Sequence, residues 1–139
     1  MADTIHVDIV SAEGELFSGE AVLVIAPGSL GELGIAPRHA PLLTTLKPGN
    51  VRVQVEGQDE QVFYVGGGAL EVQPNRVTVL ADTAARAKDL DEAEAQAAKQ
   101  RAEELVRTRT DKREIAEAQA ELLRAIAQLR AIERLRKKR

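Results

Sequence analysis

The sequence predicts a β domain followed by an α-helical appendage. All 10 Gly and all 5 Pro fall in residues 1–74, and 12 of the 13 Val fall before residue 80. From Ala85 to Arg139 there is no Gly or Pro, and Ala supplies 13 of the 55 residues. Turn-formers and β-branched residues suit a sheet, whereas Ala and long unbranched side chains suit helices. Charge divides at the same place. Residues 1–84 hold 11 acidic and 4 basic side chains, and residues 85–139 hold 11 acidic and 15 basic. The two units are therefore set at 1–84 and 85–139, with the boundary inside 82–89.

In the first unit, polar and apolar residues alternate over Ile5–Ile9, Val51–Val55 and Val77–Val79. That period puts one face on a core and the other in water. Short apolar runs, 21–26 and 62–65, lie between them. Turn signals stand at Pro27-Gly28, Pro48-Gly49, Gly66-Gly67-Gly68 and Pro74-Asn75. The spacing implies roughly eight to ten short strands in a sandwich or flattened barrel. In the second unit, Asp89 with Glu92 three residues on predicts a capping box, and Asp111 with Glu114 repeats it. Two helices, 90–106 and 112–137, follow from these starts. The second carries an apolar stripe of Ile115, Ala118, Leu122, Ala125, Ile126, Leu129 and Ile132. The first offers a thinner face of Leu90, Ala93, Ala97 and Leu105. Small side chains bury little area, so the antiparallel pair they form is weakly held.

Composition excludes several chemistries. The chain has no Cys, which removes disulfides, thiolate catalysis and Cys-based metal sites. Two histidines, His6 and His39, leave little room for a His-rich metal centre. Three aromatic residues provide no stacking platform for single-stranded nucleic acid. Gly28, Gly31 and Gly34 do not have the spacing of a phosphate-binding loop, and no helix follows them. No G-x-S-x-G elbow is present, and His39 lies in a loop between prolines. No catalytic residue is assigned. The N-terminus lacks a basic region followed by an apolar core, and no apolar run reaches a membrane span, so a cytosolic or peripheral protein is expected.

The C-terminus says more. Residues 124–139 carry seven basic groups against one acid, Glu133. A solvated helix end is one account of this; an acidic protein partner is the other. Nucleic acid is disfavoured by the acidic β unit, and membrane insertion by the absence of aromatic residues in the stripe. From the residues alone, a sandwich adaptor with a coiled-coil tail remains open beside a regulatory hairpin.

Three blocks carry a resemblance. Gly31-Glu32-Leu33-Gly34-Ile35-Ala36-Pro37-Arg38-His39-Ala40-Pro41-Leu42 continues to Leu46-Lys47-Pro48-Gly49. Gly67-Gly68-Ala69-Leu70-Glu71-Val72 leads to Asn75-Arg76-Val77-Thr78-Val79-Leu80-Ala81-Asp82. Ala125-Ile126-Ala127-Gln128-Leu129-Arg130-Ala131-Ile132-Glu133 closes the series. In this order they resemble the epsilon subunits of bacterial F-type ATP synthases, over nearly the whole chain. The resemblance implies a ten-stranded sandwich bound to the gamma subunit and resting on the ring of c subunits. It also implies a helical hairpin that extends along the rotor and blocks ATP hydrolysis. The complex would lie peripherally on the cytoplasmic face of the bacterial inner membrane. Residues 28–34 correspond to the ring-contacting loop, with Glu32 its polar contact, and Ser11, His39 and Thr44 fall where the family faces gamma. In the extended state Leu122, Ile126 and Leu129, with Arg124, Arg130 and Arg134, would meet acidic segments of the catalytic beta subunits, beside alpha.

One departure bears on cofactors. Some members of that family bind ATP through an (Ile/Leu)-Asp-x-x-Arg-Ala motif, which here reads Leu90-Asp91-Glu92-Ala93-Glu94-Ala95. Asp91 is kept and Glu94 replaces the arginine, so the expectation is no cofactor and weak or absent ATP binding.

Overall fold

The structure is a computed structural model, and it describes residues 3–137. Eight strands precede two helices. They are β1 (Ile5–Ser11), β2 (Gly14–Ala21), β3 (Leu23–Gly28), β4 (Gly31–Ile35), β5 (Leu42–Gln54), β6 (Gln61–Gln73), β7 (Arg76–Ala81) and β8 (Ala84–Arg86). A short 3-10 turn (Ala87–Asp89) leads to α1 (Glu92–Thr108) and α2 (Lys112–Lys137). The strands are hydrogen-bonded in the order β2-β1-β7-β6-β5-β3-β4, with β8 on β6. All neighbours are antiparallel except β1 and β7, which run parallel with His6 opposite Arg76.

The count is eight and not ten because β5 and β6 each run 13 residues and serve both layers. Their first and second halves have different neighbours. Gly68–Gln73 of β6 pairs with β7, while Phe63–Val65 pairs with β8. The two strands bend together where Pro48 lies opposite Gly66. Pro48-Gly49 and Gly66-Gly67-Gly68 are therefore bends within strands and not chain reversals. Gly67 and Gly68 have φ of 106° and 137°, which side chains other than Gly rarely adopt. A Cβ on Gly68 would also stand 2.1 Å from the Leu80 carbonyl oxygen.

The two layers enclose one core. Ile5, Val7 and Ile9 of β1 and Val77 and Val79 of β7 meet Val51 and Val53 of β5, with Val24 and Ile35 behind them. These are the alternating positions of the sequence, so the period-2 reading holds where one face is wet. Phe63 is 1% exposed and packs edge-to-face on Phe17 at 5.7 Å. The Arg86 guanidinium lies over the Phe63 ring at 5.6 Å and donates to the Leu16 carbonyl at 2.6 Å. Arg86 thus ties the last strand to the sandwich just before the helices begin.

The run Val62–Val65 does not alternate because both faces are covered. Phe63 and Val65 enter the core, while Val62 and Tyr64 pack with Ala87, Ala127 and Ala131 beneath α2. The second helix lies on β5 and β6, and α1 packs mainly on α2. The helix faces differ in detail from the expectation. On α1 the buried residues are Ala95 and Ala102; Ala93 is exposed, and Leu90 precedes the helix and packs against the Val62–Tyr64 cluster. The cap differs too. Asp91, not Asp89, is the N-cap and accepts the Glu94 N–H at 3.1 Å, because Asp89 is used in the 3-10 turn and Leu90 is extended. Asp111 accepts the Arg113 N–H at 2.9 Å and starts α2 where expected, but without the expected box, since Glu114 faces Arg109 at 3.8 Å.

Candidate functional site

Three surfaces carry the residues that sequence reasoning singled out. The first is the hairpin tip between β3 and β4. Gly28 pairs with Gly31 across Ser29 and Leu30, and Leu30 is fully exposed. The tip is held by Ser29 Oγ and Thr45 Oγ1, 2.5 Å apart, and by the Ser29 N–H donating to the Thr45 carbonyl at 3.0 Å. Gly28 is required here, since a Cβ would stand 2.7 Å from the Gly31 carbonyl oxygen. Glu32 does not stand free: it accepts from Arg52 Nη2 at 3.1 Å. Thr44 joins this surface, lining a cleft of about 200 Å³ with Leu30, Glu32 and Leu33. Leu30 was missed by sequence reasoning, although its place in the turn between Gly28 and Gly31 already marks it as exposed.

The second surface is the outer face of the layer containing β1, β7 and the second half of β6. Register places Val10, Leu80, Ala69 and Thr45 in one row and Asp8, Thr78, Glu71 and Leu43 in the next. Leu43 is 75% and Leu80 is 53% exposed. Ser11 ends β1 at this edge, its Oγ accepting the Glu13 N–H at 3.2 Å. His39 lies in the loop after β4, with Nδ1 2.7 Å from the Ala40 carbonyl oxygen. The structure therefore does not gather Ser11 and Thr44 at one point, since β7 and β6 stand between their strands.

At the far end of this face is a charge cluster that sequence reasoning missed. His6 Nδ1 is 2.7 Å from Glu20 Oε2, and Nε2 is 3.1 Å from Asp8 Oδ1. Ser18 donates to Asp8 at 2.7 Å, and Arg76 lies 3.5 Å from it. The hydrogen bond to Glu20 raises the His6 pKa above 6.5, against a smaller lowering by desolvation and with Asp8 helping. The Ser18 hydroxyl holds Asp8 below its ordinary value, and His6 does the same for Glu20.

The third surface is the docked hairpin. Of its expected partner-facing residues, Leu122, Ile126 and Leu129 are half-buried. Arg124 is also half-buried, its Cδ near Gly66, and Arg134 pairs with Glu60, Nε to Oε1 at 3.1 Å. Arg130 is exposed and lines a cleft of about 460 Å³ with Lys47, Asn50, Arg52 and Ile126. Arg136 joins Glu92 at the N-terminus of α1. Lys138 and Arg139, two of the seven basic groups, lie outside the described residues. At the start of α1, the Asp91 carboxylate is engaged by the Glu94 N–H, and the Asp89, Asp91 and Glu94 side chains point into solvent. Among the described residues no group of three or more His, Cys, Asp or Glu is placed to hold a metal ion, and no helix is long and apolar enough to cross a membrane.

Comparison with known proteins matches both units. Residues 4–87 fit a family described as ATP synthase, Delta/Epsilon chain, beta-sandwich domain, and residues 88–133 fit the long alpha-helix domain of the same chains. The chain is 63% identical over 139 residues to ATP synthase epsilon chain 1 of Methylococcus capsulatus, covering 100% of this chain and 99% of that one. It is also 63% identical over 138 residues to the ATP synthase epsilon chain of Nitrosococcus oceani, covering 99% of each. In structure it resembles a chain of the Euglena gracilis mitochondrial ATP synthase, OSCP/F1/c-ring, with a TM-score of 0.81 at 17% identity. That likeness covers 89% of this chain and 78% of the other. A sandwich and a docked hairpin, each matched in order and across its length, place this chain in the Delta/Epsilon family of ATP synthase chains.

Proposed function

We propose that this chain is the non-catalytic central-stalk subunit of a proton-translocating rotary ATP synthase, coupling rotation to synthesis and restraining hydrolysis through its helices. The observation that supports this best is the division of labour in the fold. The sandwich is closed around a continuous core, whereas α2 rests on it through a separate, smaller cluster in which Ala127, Ala131 and Leu135 meet Val62 and Tyr64. A firm body and a lightly held arm suit a subunit that stays on a rotor while one part moves.

In this reading the Leu30 tip, with Glu32 beside it, meets the ring of c subunits; Thr44, expected to face gamma, lines the cleft beside Leu30 and is reassigned to the ring contact. The face bearing Val10, Leu43 and Leu80, with Ser11 and His39, meets gamma. Burial of such apolar side chains contributes about 1.5–3 kcal/mol each. The extended hairpin sets Leu122, Ile126 and Leu129 against the catalytic beta subunits, beside alpha, while Arg124, Arg130 and Arg134 pair with their carboxylates. The complex sits peripherally on the cytoplasmic face of the bacterial inner membrane. ATP is not a resident cofactor, because Glu92 and Glu94 occupy the first turn of α1, with Asp91 at its N-cap and Asp89 just before it, where a phosphate would need cations.

Reconstitution tests the reading. The chain should co-purify with gamma and the c ring, and its addition should slow ATP hydrolysis by the assembled complex. Capture of gamma without any effect on hydrolysis would refute the regulatory half; failure to capture gamma would refute the whole.

A further inference from the structure

Among the described residues Glu60 is the buried charged side chain, its carboxylate 2% exposed at the entry to β6. It accepts from Arg134 Nε at 3.1 Å and from Nη2 at 3.5 Å, and Gln54 Nε2 donates to it at 3.4 Å. Arg134 lies 74 residues further along the chain, in the last turn of α2. A carboxylate removed from water needs a charged partner fixed in place. Here one such partner, Arg134, sits on the element proposed to move. The surrounding contact sets Ala127 and Ala131 of α2 on Val62 and Tyr64, with Leu135 packed beside them, and it is apolar, so Arg134 supplies the charge in this part of the interface. Among the described residues the neighbouring ion pairs do not touch the sandwich: Arg136 with Glu92 closes the two helices on each other, and Lys137 with Glu133 lies within α2.

We propose that Glu60 is the latch of the hairpin: by holding Arg134 it sets the fraction of time that α2 lies on the sandwich. An acidic partner that engages Arg134 in the extended state must take it from Glu60, so the two contacts exclude each other. This rests on the proposed function for its consequence in the complex, but the latch itself belongs to the isolated chain. Opening wets Glu60 and Arg134 together, so what is lost is a charge-assisted hydrogen-bonded pair and not a stranded charge. A shift of roughly tenfold in the docked-to-open ratio follows.

The chain carries its own reporter. Tyr64 is the only tyrosine, no Trp is present, and Tyr64 is 3% exposed beneath α2. Its rate of nitration by tetranitromethane in the full-length chain scales with the open fraction, even when that fraction is small. Glu60→Gln and Arg134→Gln should each raise the rate about tenfold, and the double variant should exceed neither single one. Molar salt should accelerate the unaltered chain more than Glu60→Gln. Unchanged rates in both single variants, with the far-UV circular dichroism intact, would overturn the latch; additive effects in the double variant would do so too. Should Glu60→Gln disturb the sandwich, Arg134→Gln on the helix surface decides alone. In the assembled complex, Glu60→Gln should deepen inhibition of hydrolysis. A tenfold faster nitration with hydrolysis unchanged would uphold the latch and refute the inhibitory role of the hairpin.

Discussion

Thr110 separates the compact and extended forms of the hairpin by the backbone each one needs. In the compact form it belongs to neither helix and is exposed. Arg109 before it has φ −83° and ψ 147°, the extended conformation that a following proline demands. Thr110→Pro therefore costs the compact form little. In one continuous helix, which over 90–137 would reach about 70 Å, the same proline removes an amide donor and presses on the carbonyl four residues back. That costs about 3 kcal/mol or more, which at about 1.4 kcal/mol per factor of ten depletes the extended form roughly 150-fold. Thr110→Ala acts the other way. It favours a continuous helix by at most ~0.7 kcal/mol, or about threefold. Steady-state ATP hydrolysis by the assembled complex should rise with the proline variant and fall slightly with the alanine one, while gamma binding is unchanged in both. Full inhibition by Thr110→Pro would show that the inhibitory form is not a continuous helix.

The remaining predictions concern the sandwich and the start of α1. His6, with its pKa raised, stabilises the β1–β2 edge below its ordinary 6.5 and loses that effect as pH rises through the raised value. Asp8 and Glu20, with theirs lowered, stabilise above the carboxylate range and lose it on acidification. Urea midpoints should thus fall at both ends, and His6→Gln should flatten the alkaline limb; an unaltered alkaline limb would contradict the cluster. Gly68→Ala combines a φ of 137° with a Cβ 2.1 Å from a carbonyl oxygen, and should cost at least ~3 kcal/mol in urea unfolding. A loss under about 1 kcal/mol would mean that β6 relaxes freely at its bend. Calorimetry should find ATP affinity no tighter than about millimolar, roughly −4 kcal/mol, with Glu94→Arg tightening it. Micromolar affinity in the unaltered chain would show that other residues hold the nucleotide.

How far the sequence disclosed this molecule depends on the range of the interaction. The division into β and helical units was legible because Gly, Pro, Val and Ala report local backbone preference. The inward faces of β1 and β7 were legible from alternation. Strand number was not, since Pro48-Gly49 and Gly66–Gly68 read as reversals and only their mutual register shows a shared bend. The cap at Asp91 was displaced from Asp89 by a 3-10 turn that Ala87, buried under α2, stabilises. Leu80 was out of phase with Val77 and Val79, a signal available in the sequence but not used. Glu60 carried no signal at all: it is one acid in a polar loop, and its partner is reached only through the tertiary fold.

The parallel pairing of β1 with β7 has a consequence for synthesis on the ribosome. Residues 5–11 can form a hairpin with β2 early, but their other neighbour is more than sixty residues away. Loop closure over that distance is slow, and β5 and β6, being common to both layers, prevent one layer from completing alone. The core therefore closes only after β7 and β8 have emerged. The helices emerge last and meet a surface already finished, with Val62 and Tyr64 exposed and Glu60 in place to receive Arg134. Assembly of the newborn chain would then rehearse, once and in order, the docking step proposed for the mature subunit.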